Sequence, residues 1–233
     1  MLRSFGVIAA SFTLVIALVC LGYPLFAQGK SALQPDVELI ANSGPFEFDG
    51  SGPGMDLGRS SILDVSGGDF TIHAWVRFAS LINETEVCFS PAGCDMSIVD
   101  KMRYFNGDGW RVLKQSDNRF WFCLGGGNAG NGCTPDAPTT VMSSTIPAVG
   151  VWYSVAAVKT SGQLSIYVNG VLEGSTFCDT FLDSNVAALL VGANYDEGAY
   201  LDGQVGEVQL FNSALSAPLV RATFERSKAR YRR

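Results

Sequence analysis

Gln163-Leu164-Ser165-Ile166-Tyr167-Val168-Asn169-Gly170-Val171 is the stretch on which the fold turns. Leu164, Ile166 and Val168 alternate with Ser165, Tyr167 and Asn169, the period of two expected of a strand with one face buried. Asn169-Gly170 then places side by side two residues that tolerate positive φ, as a type I′ hairpin turn requires. The chain is therefore predicted to return through Val171-Leu172-Glu173-Gly174. Further out, Phe70 to Phe78 repeats the pattern: Phe70, Ile72, Ala74, Val76 and Phe78 share one face, and Thr71, His73, Trp75 and Arg77 the other. Shorter strands are predicted over 97–102, 110–114, 119–124, 151–159, 187–192 and 201–211, with first-strand pieces at 37–40 and 46–48. A short helix is expected within 215–229, with Ser216 as its N-cap. Hairpins repeated in this way specify an all-β fold, an antiparallel two-sheet β-sandwich, with a short C-terminal helix.

The N-terminus has the layout of a secretory signal. Arg3 supplies a basic start, Val7 to Leu21 is almost wholly apolar, and Leu25-Phe26-Ala27 after Pro24 offers a small-residue cleavage point. Residues 1–27 are thus expected to be a signal peptide and the mature chain to be secreted. Periplasmic retention and an uncleaved signal anchor are the alternatives, and no membrane insertion is expected once the signal is cleaved. The mature chain divides into a leader and first strand (28–45), one sandwich (46–224) and a basic tail (225–233). Residues 28–220 hold 21 acidic and 9 basic side chains, whereas 221–233 hold six basic and one acidic. So acidic a body argues against nucleic acid as a partner, because phosphate binding needs clustered Lys and Arg. The tail reads as a frayed, solvated terminus, and contact with an anionic surface is the alternative.

Cys88 and Cys94 bracket a short loop, and Cys123 and Cys133 a Gly/Asn-rich one. In a secreted chain these are expected to form two local disulfides. Zinc lacks ligands, since His73 is the only histidine and no C-x₂-C pair occurs. Cys178 is left over, as a buried thiol or as the link in an interchain bridge. Asn83-Glu84-Thr85 is a glycosylation sequon. The loops 81–96 and 125–149 stand out as insertions, the first carrying the Cys88/Cys94 pair and the second tied through Cys133 to Cys123 just before it. A prefolded loop loses less entropy on binding, which suits recognition.

Beyond the hairpin, several segments carry a resemblance. These are Phe48-Asp49-Gly50, Phe70-Thr71-Ile72-His73-Ala74-Trp75-Val76, Trp152-Tyr153, and Gly203 to Asn212 ahead of Ala214-Leu215-Ser216. Over residues 46–224 the chain resembles a laminin-G-like jelly-roll domain of the concanavalin A-like lectin/glucanase superfamily. The resemblance implies the sandwich. It does not choose a ligand, because the superfamily includes lectins, adhesion modules, pentraxins and glycan-cleaving enzymes. Where relatives commonly carry Asp-Glu-Val, this chain has Gly206-Glu207-Val208, one carboxylate fewer.

Sugar-cleaving jelly rolls use paired carboxylates on one strand, and no strand here carries such a pair. His73 lies mid-strand, where a structural imidazole is the expected outcome, and Gly125-Gly126-Gly127-Asn128 lacks the lysine of a phosphate-binding loop. Catalysis is therefore not expected. Candidate sugar-stacking residues are Trp110 and Trp121 on adjacent strands, with Tyr195 and Tyr200 on a nearby loop; core packing of the two tryptophans is the alternative. The resemblance also implies Ca²⁺, a hard cation that takes oxygen ligands. Candidate ligands are Asp49, Asn194, Asp196 and Asp202, with Glu197 beside them. These residues also serve as turn formers. The expected function is non-catalytic binding of carbohydrate or a glycosylated surface, assisted by Ca²⁺. The alternatives are an adhesive or self-assembling module that forms homo-oligomers, and a divergent polysaccharide-cleaving enzyme.

Overall fold

The structure, a computed structural model, describes residues 38–42, 44–65, 67–81, 95–103, 108–125, 133–135, 137–180, 182, 184–194 and 199–232. The expected signal segment, Cys88, Cys94 and the Asn83 sequon lie outside the described residues. Thirteen strands among those described form two antiparallel sheets. They are β1 (Glu38–Asn42), β2 (Phe46–Asp49), β3 (Met55–Asp56), β4 (Phe70–Phe78), β5 (Met96–Met102), β6 (Gly109–Lys114) and β7 (Phe120–Gly125). After these come β8 (Thr140–Met142), β9 (Trp152–Thr160), β10 (Gln163–Val168), β11 (Val171–Phe177), β12 (Leu190–Val191) and β13 (Asp202–Phe211), and then the helix α1 (Ala217–Ser227). The seven-stranded sheet runs β1-β13-β4-β9-β10-β11, with β2 also paired to β13. The six-stranded sheet runs β3-β12-β5-β6-β7-β8.

The predicted hairpin forms as read. Asn169 and Gly170 adopt φ of 51° and 74°, and Val168 faces Val171 across the turn. Leu164 and Ile166 are fully buried and join Phe70, Ile72, Val76 and Phe78 in a core shared with Phe120, Phe122, Val205 and Leu210. Each such side chain contributes about 1.5–3 kcal/mol on burial. Two features depart from the sequence reading. Thr140–Met142, inside the segment read as an insertion, is a strand that pairs with β7 and edges the six-stranded sheet. Only three residues long, it gives no periodic signal.

The C-terminal tail is docked rather than frayed. Trp75, on the outer face of β4, stacks on Phe224 at 5.7 Å and on Tyr231 at 4.4 Å, and its indole N–H donates to Ser227 Oγ at 2.9 Å. The Tyr231 hydroxyl accepts the Glu207 amide at 2.7 Å. A Cβ on Gly206 would lie 2.5 Å from the Tyr231 ring, so glycine is required there by close approach. Cys178 is buried and free, and no described helix is long and apolar enough to cross a membrane.

His73 is 1% exposed beneath the helix. Gln209 Oε1 can only accept, so Nδ1–H donates to it at 3.1 Å, and Nε2 accepts the Ser154 hydroxyl at 2.8 Å. Serine, histidine and amide line up as in a catalytic relay, but burial closes the array to substrate. That burial lowers the imidazole from its ordinary 6.5 to about 4. The folded state therefore keeps His73 neutral while the unfolded chain takes up a proton below pH 6.5. This contribution to stability is complete above that pH and is lost as pH falls toward 4, by about 3 kcal/mol in all. Urea unfolding measured every half unit from pH 4 to 7 should show this slope, and His73→Gln should lack it. An identical slope in the variant would contradict the assignment.

Candidate functional site

Alternation along the six-stranded sheet divides its residues between core and outer face. On β7, Phe120, Phe122 and Leu124 point into the core; on β6, Trp110 and Val112 do. Arg111, Leu113, Trp121 and Cys123 take the opposite parity and face outward. Pairing aligns Asp100, Arg111, Cys123 and Thr140 in one row across four strands, and Leu113, Trp121 and Met142 in the next. Met102, Leu113, Trp121 and Cys123 form an apolar cluster separate from the main core, with Cys133 and Met142 against it. The expected disulfide Cys123–Cys133 is present, its Cα atoms 5.3 Å apart, and ties the chain at residue 133 to this face.

Charge is set into this apolar surface. Arg111 Nε lies 3.1 Å from Asp100 Oδ2, with the two side chains 13% and 1% exposed. Asp100 Oδ1 accepts the Met102 amide at 2.8 Å. Asp95, where the chain enters β5, is a further carboxylate, one residue before the Met96–Lys114 register pair. Burial raises its pKa, and the Ser116 amide, Lys114 and Arg111 pull the other way. Asp95 Oδ1 is buried without a hydrogen-bond partner. Asp117, exposed in the 115–118 turn, accepts the Trp121 indole N–H on both oxygens at 3.1 and 3.2 Å. Lys114 is buried beneath the same turn, donates to Leu81 O and Asn118 Oδ1, and is brought down to about 8 by burial. At the start of β5, Ser97 N–H bonds Ala199 O, which places the half-buried Tyr200 on the neighbouring segment.

The predicted site residues separate. Trp110 pairs with Leu124 and Trp121 with Leu113, so the two indoles lie on opposite faces of the sheet. Trp110 is 2% exposed and packs 5.5 Å from Phe70, which makes it a core residue and corrects its reading as a stacking platform. The cause is parity, because it shares the inward face with Val112. Trp121 faces outward as a 3% exposed floor with its N–H bonded. Tyr195 and Asp196 lie outside the described residues. Among the expected cation ligands, Asp49 and Asp202 are direct cross-strand partners. Burial and the Asp49 charge raise Asp202, while the Ser51 hydroxyl and amide hold Asp49 low. Like charges in such register repel. Asn194 Oδ1 accepts the Ala199 amide at 3.2 Å. No group of three or more His, Cys, Asp or Glu suited to a metal occurs among the described residues. Residues 45–49 and 51–55, Asp49 among them, line a groove of about 700 Å³.

Arg111, Asp100 and Asp95 were missed in the sequence. Their signal was nonetheless present: Asp100-Lys101 and Arg111 are charges placed within apolar strand runs, where a side chain needs a partner.

Residues 49–221 match the model of a family described as the concanavalin A-like lectin/glucanases superfamily. A comparison with curated proteins found no match. Among solved structures, the CBM40 of the Ruminococcus gnavus IT-sialidase bound to α2,3-sialyllactose superposes with a TM-score of 0.60 at 14% identity, covering 81% of this chain and 99% of that one. Domain 4 of AbnA, an extracellular arabinanase from Geobacillus stearothermophilus in complex with arabinotriose, gives 0.52 at 15% identity over 80% of each chain. The binding domain of Paraclostridial Mosquitocidal Protein 1 gives 0.56 at 13% identity, covering 82% of this chain and 47% of that one. The chain spans 36% of the botulinum neurotoxin serotype C1 binding domain at a TM-score of 0.46, a likeness too partial to carry a conclusion. At these identities the superpositions establish a shared fold.

Removing one member of a buried ion pair leaves the other charge uncompensated, at a cost of about 3–5 kcal/mol. Asp100→Asn should therefore destabilise the fold by that order in urea denaturation, and restoring neutrality with Arg111→Met in the same chain should recover part of it. A single variant with unchanged stability would show that the pair is not needed.

Proposed function

The chain belongs to the concanavalin A-like lectin/glucanases superfamily, and we propose that it is a non-catalytic, secreted module that binds carbohydrate on the outer face of its six-stranded sheet. The observation that carries this is the Asp100–Arg111 pair set into the apolar outer face, with Asp95 at the entry to β5 and Trp121 and Asp117 on the next strand and turn. A guanidinium offers several N–H donors in a fixed fork, and carboxylates accept from hydroxyls, so vicinal sugar hydroxyls find both kinds of partner. Arg111 and Asp95 keep partial exposure and Asp117 full exposure, so a ligand has polar groups to meet without opening the core. Trp121 acts as a floor that fixes the 115–118 turn through Asp117. Tyr200 adds an aromatic edge from the adjoining segment. The two neighbours whose structures hold saccharides support the reading by analogy of fold.

Asp49 and Asp202 would hold a Ca²⁺ at the end of the sandwich, where the cation would relieve the repulsion between two carboxylates in direct register. Bound there, it would supply rigidity to the segments that start at Gly50 and end at Leu201. Glu207, the one carboxylate mid-strand on β13, is buried under the C-terminal tail and ion-paired to Arg230 at 3.1 Å, so it serves the packing of the tail.

Purified protein applied to a broad glycan array, with Ca²⁺ and again with EDTA, should bind at least one glycan class. Arg111→Lys keeps the charge and loses the fork, and should weaken that binding about tenfold or more while the protein stays folded. Asp202→Asn should reduce only the Ca²⁺-dependent part. A folded protein that binds no glycan, or an Arg111→Lys variant that binds as the parent does, would overturn the proposal.

A further inference from the structure

The docked tail has a chemistry of its own. Five of the six basic residues in 221–233 are arginines, on a protein whose residues 28–220 carry a net charge of −12. Arg221, Arg226, Arg230 and Arg232 are exposed. Glu225 pairs with Arg221 and Lys228, and Glu207 with Arg230, so two carboxylates stand among these cations. The tail is anchored by Phe224, Ser227 and Tyr231 against Trp75. Its anchoring therefore does not call for exposed guanidinium groups at Arg226 and Arg232. They are nonetheless held in place, because the segment between them is packed.

The neighbouring sheet surface supplies further groups. Trp152, half-buried, lies 4.9 Å from the Tyr231 ring, and the Arg77 guanidinium sits 5.8 Å over its indole. Glu47, Gln204, Arg77 and Trp152 are successive register partners across β2, β13, β4 and β9, forming one row on the outer face. Gln204 Nε2 donates to Glu47 at 2.6 Å. An aromatic ring, an amide and a carboxylate thus stand on the sheet face where Tyr231 docks the arginine-rich tail, on the side of the sandwich opposite Arg111.

We infer that this second face, Arg77, Trp152, Arg226, Arg230 and Arg232, binds an acidic saccharide chain through its carboxylate or sulfate groups. Arginine's planar fork matches the paired oxygens of either group. The indole suits the apolar C–H face of a pyranose, and Gln204 suits a hydroxyl. Polyphosphate fits less well, because the strongly acidic body repels an extended polyanion of high charge density. A saccharide acid spaces its charges by whole sugar rings and presents neutral surface between them.

The test uses the full chain and immobilised polygalacturonate, dextran sulfate and neutral dextran, with vesicles rich in phosphatidylserine as a separate arm. Binding to one or both acidic polymers but not to dextran is expected, weakening as salt rises from about 50 to 200 mM. Arg226→Gln with Arg232→Gln should lower the affinity about tenfold with the melting temperature unchanged, and Trp152→Ala should also lower it. Arg111→Lys should leave this binding intact, so failure here and failure of the first site are read separately. Four results would overturn the inference: no retention on either acidic polymer, equal retention of the arginine variant, no effect of Trp152→Ala, or binding to the vesicles alone.

Discussion

Burial of one face of each sheet against the other is the constraint on which everything else in this molecule depends. Leu164 and Ile166 from one sheet meet Phe120 and Phe122 from the other with no exposure left. Once the inward parity is spent in this way, any recognition must use the outward parity or the ends of the sandwich. The two outer faces are finished differently. The seven-stranded sheet is overlaid by α1 and the residues after it, through Trp75 and a second apolar cluster that includes Phe211, Leu215 and Val220. The six-stranded sheet carries the Asp100–Arg111 pair and a disulfide. That asymmetry separates the two proposed binding surfaces.

The C-terminal segment also explains the Gly206-Glu207-Val208 run. Gly206 stands where the resemblance leads one to expect an aspartate, and the Tyr231 ring crowds that position. Any side chain at 206 would meet that ring, so the missing carboxylate and the aromatic anchor are two sides of one arrangement. Glu207 is retained next to it, yet its backbone amide serves Tyr231 and its carboxylate serves Arg230. A position that could look like a surviving catalytic or metal residue is instead a fastening point for the tail.

Much of the fold was legible because it rests on local rules. The Asn169-Gly170 turn and the nine-residue strand Phe70–Phe78 need only backbone sterics and period-two alternation, and both form as read. Pairing of Cys123 with Cys133 followed from short spacing in a chain read as secreted. The site was less legible, because parity on a strand says which residues share a face but not which face meets the core. Trp110 and Trp121, read as neighbours, diverge for that reason once the register is set. The Asp100–Arg111 pair joins residues on two strands, and the docking of Tyr231 on Trp75 spans more than 150 positions. No local pattern announces either contact. The strand Thr140–Met142 was hidden by its brevity.

Binding of saccharide at the outer face of the six-stranded sheet is the central claim. A crystal structure of the protein with a bound oligosaccharide, taken from whichever glycan class it retains, tests this most directly. Sugar hydroxyls are expected within hydrogen-bond distance of Arg111 and of Asp95 or Asp117. A neutral sugar found only on the seven-stranded face, or at neither face, would contradict it.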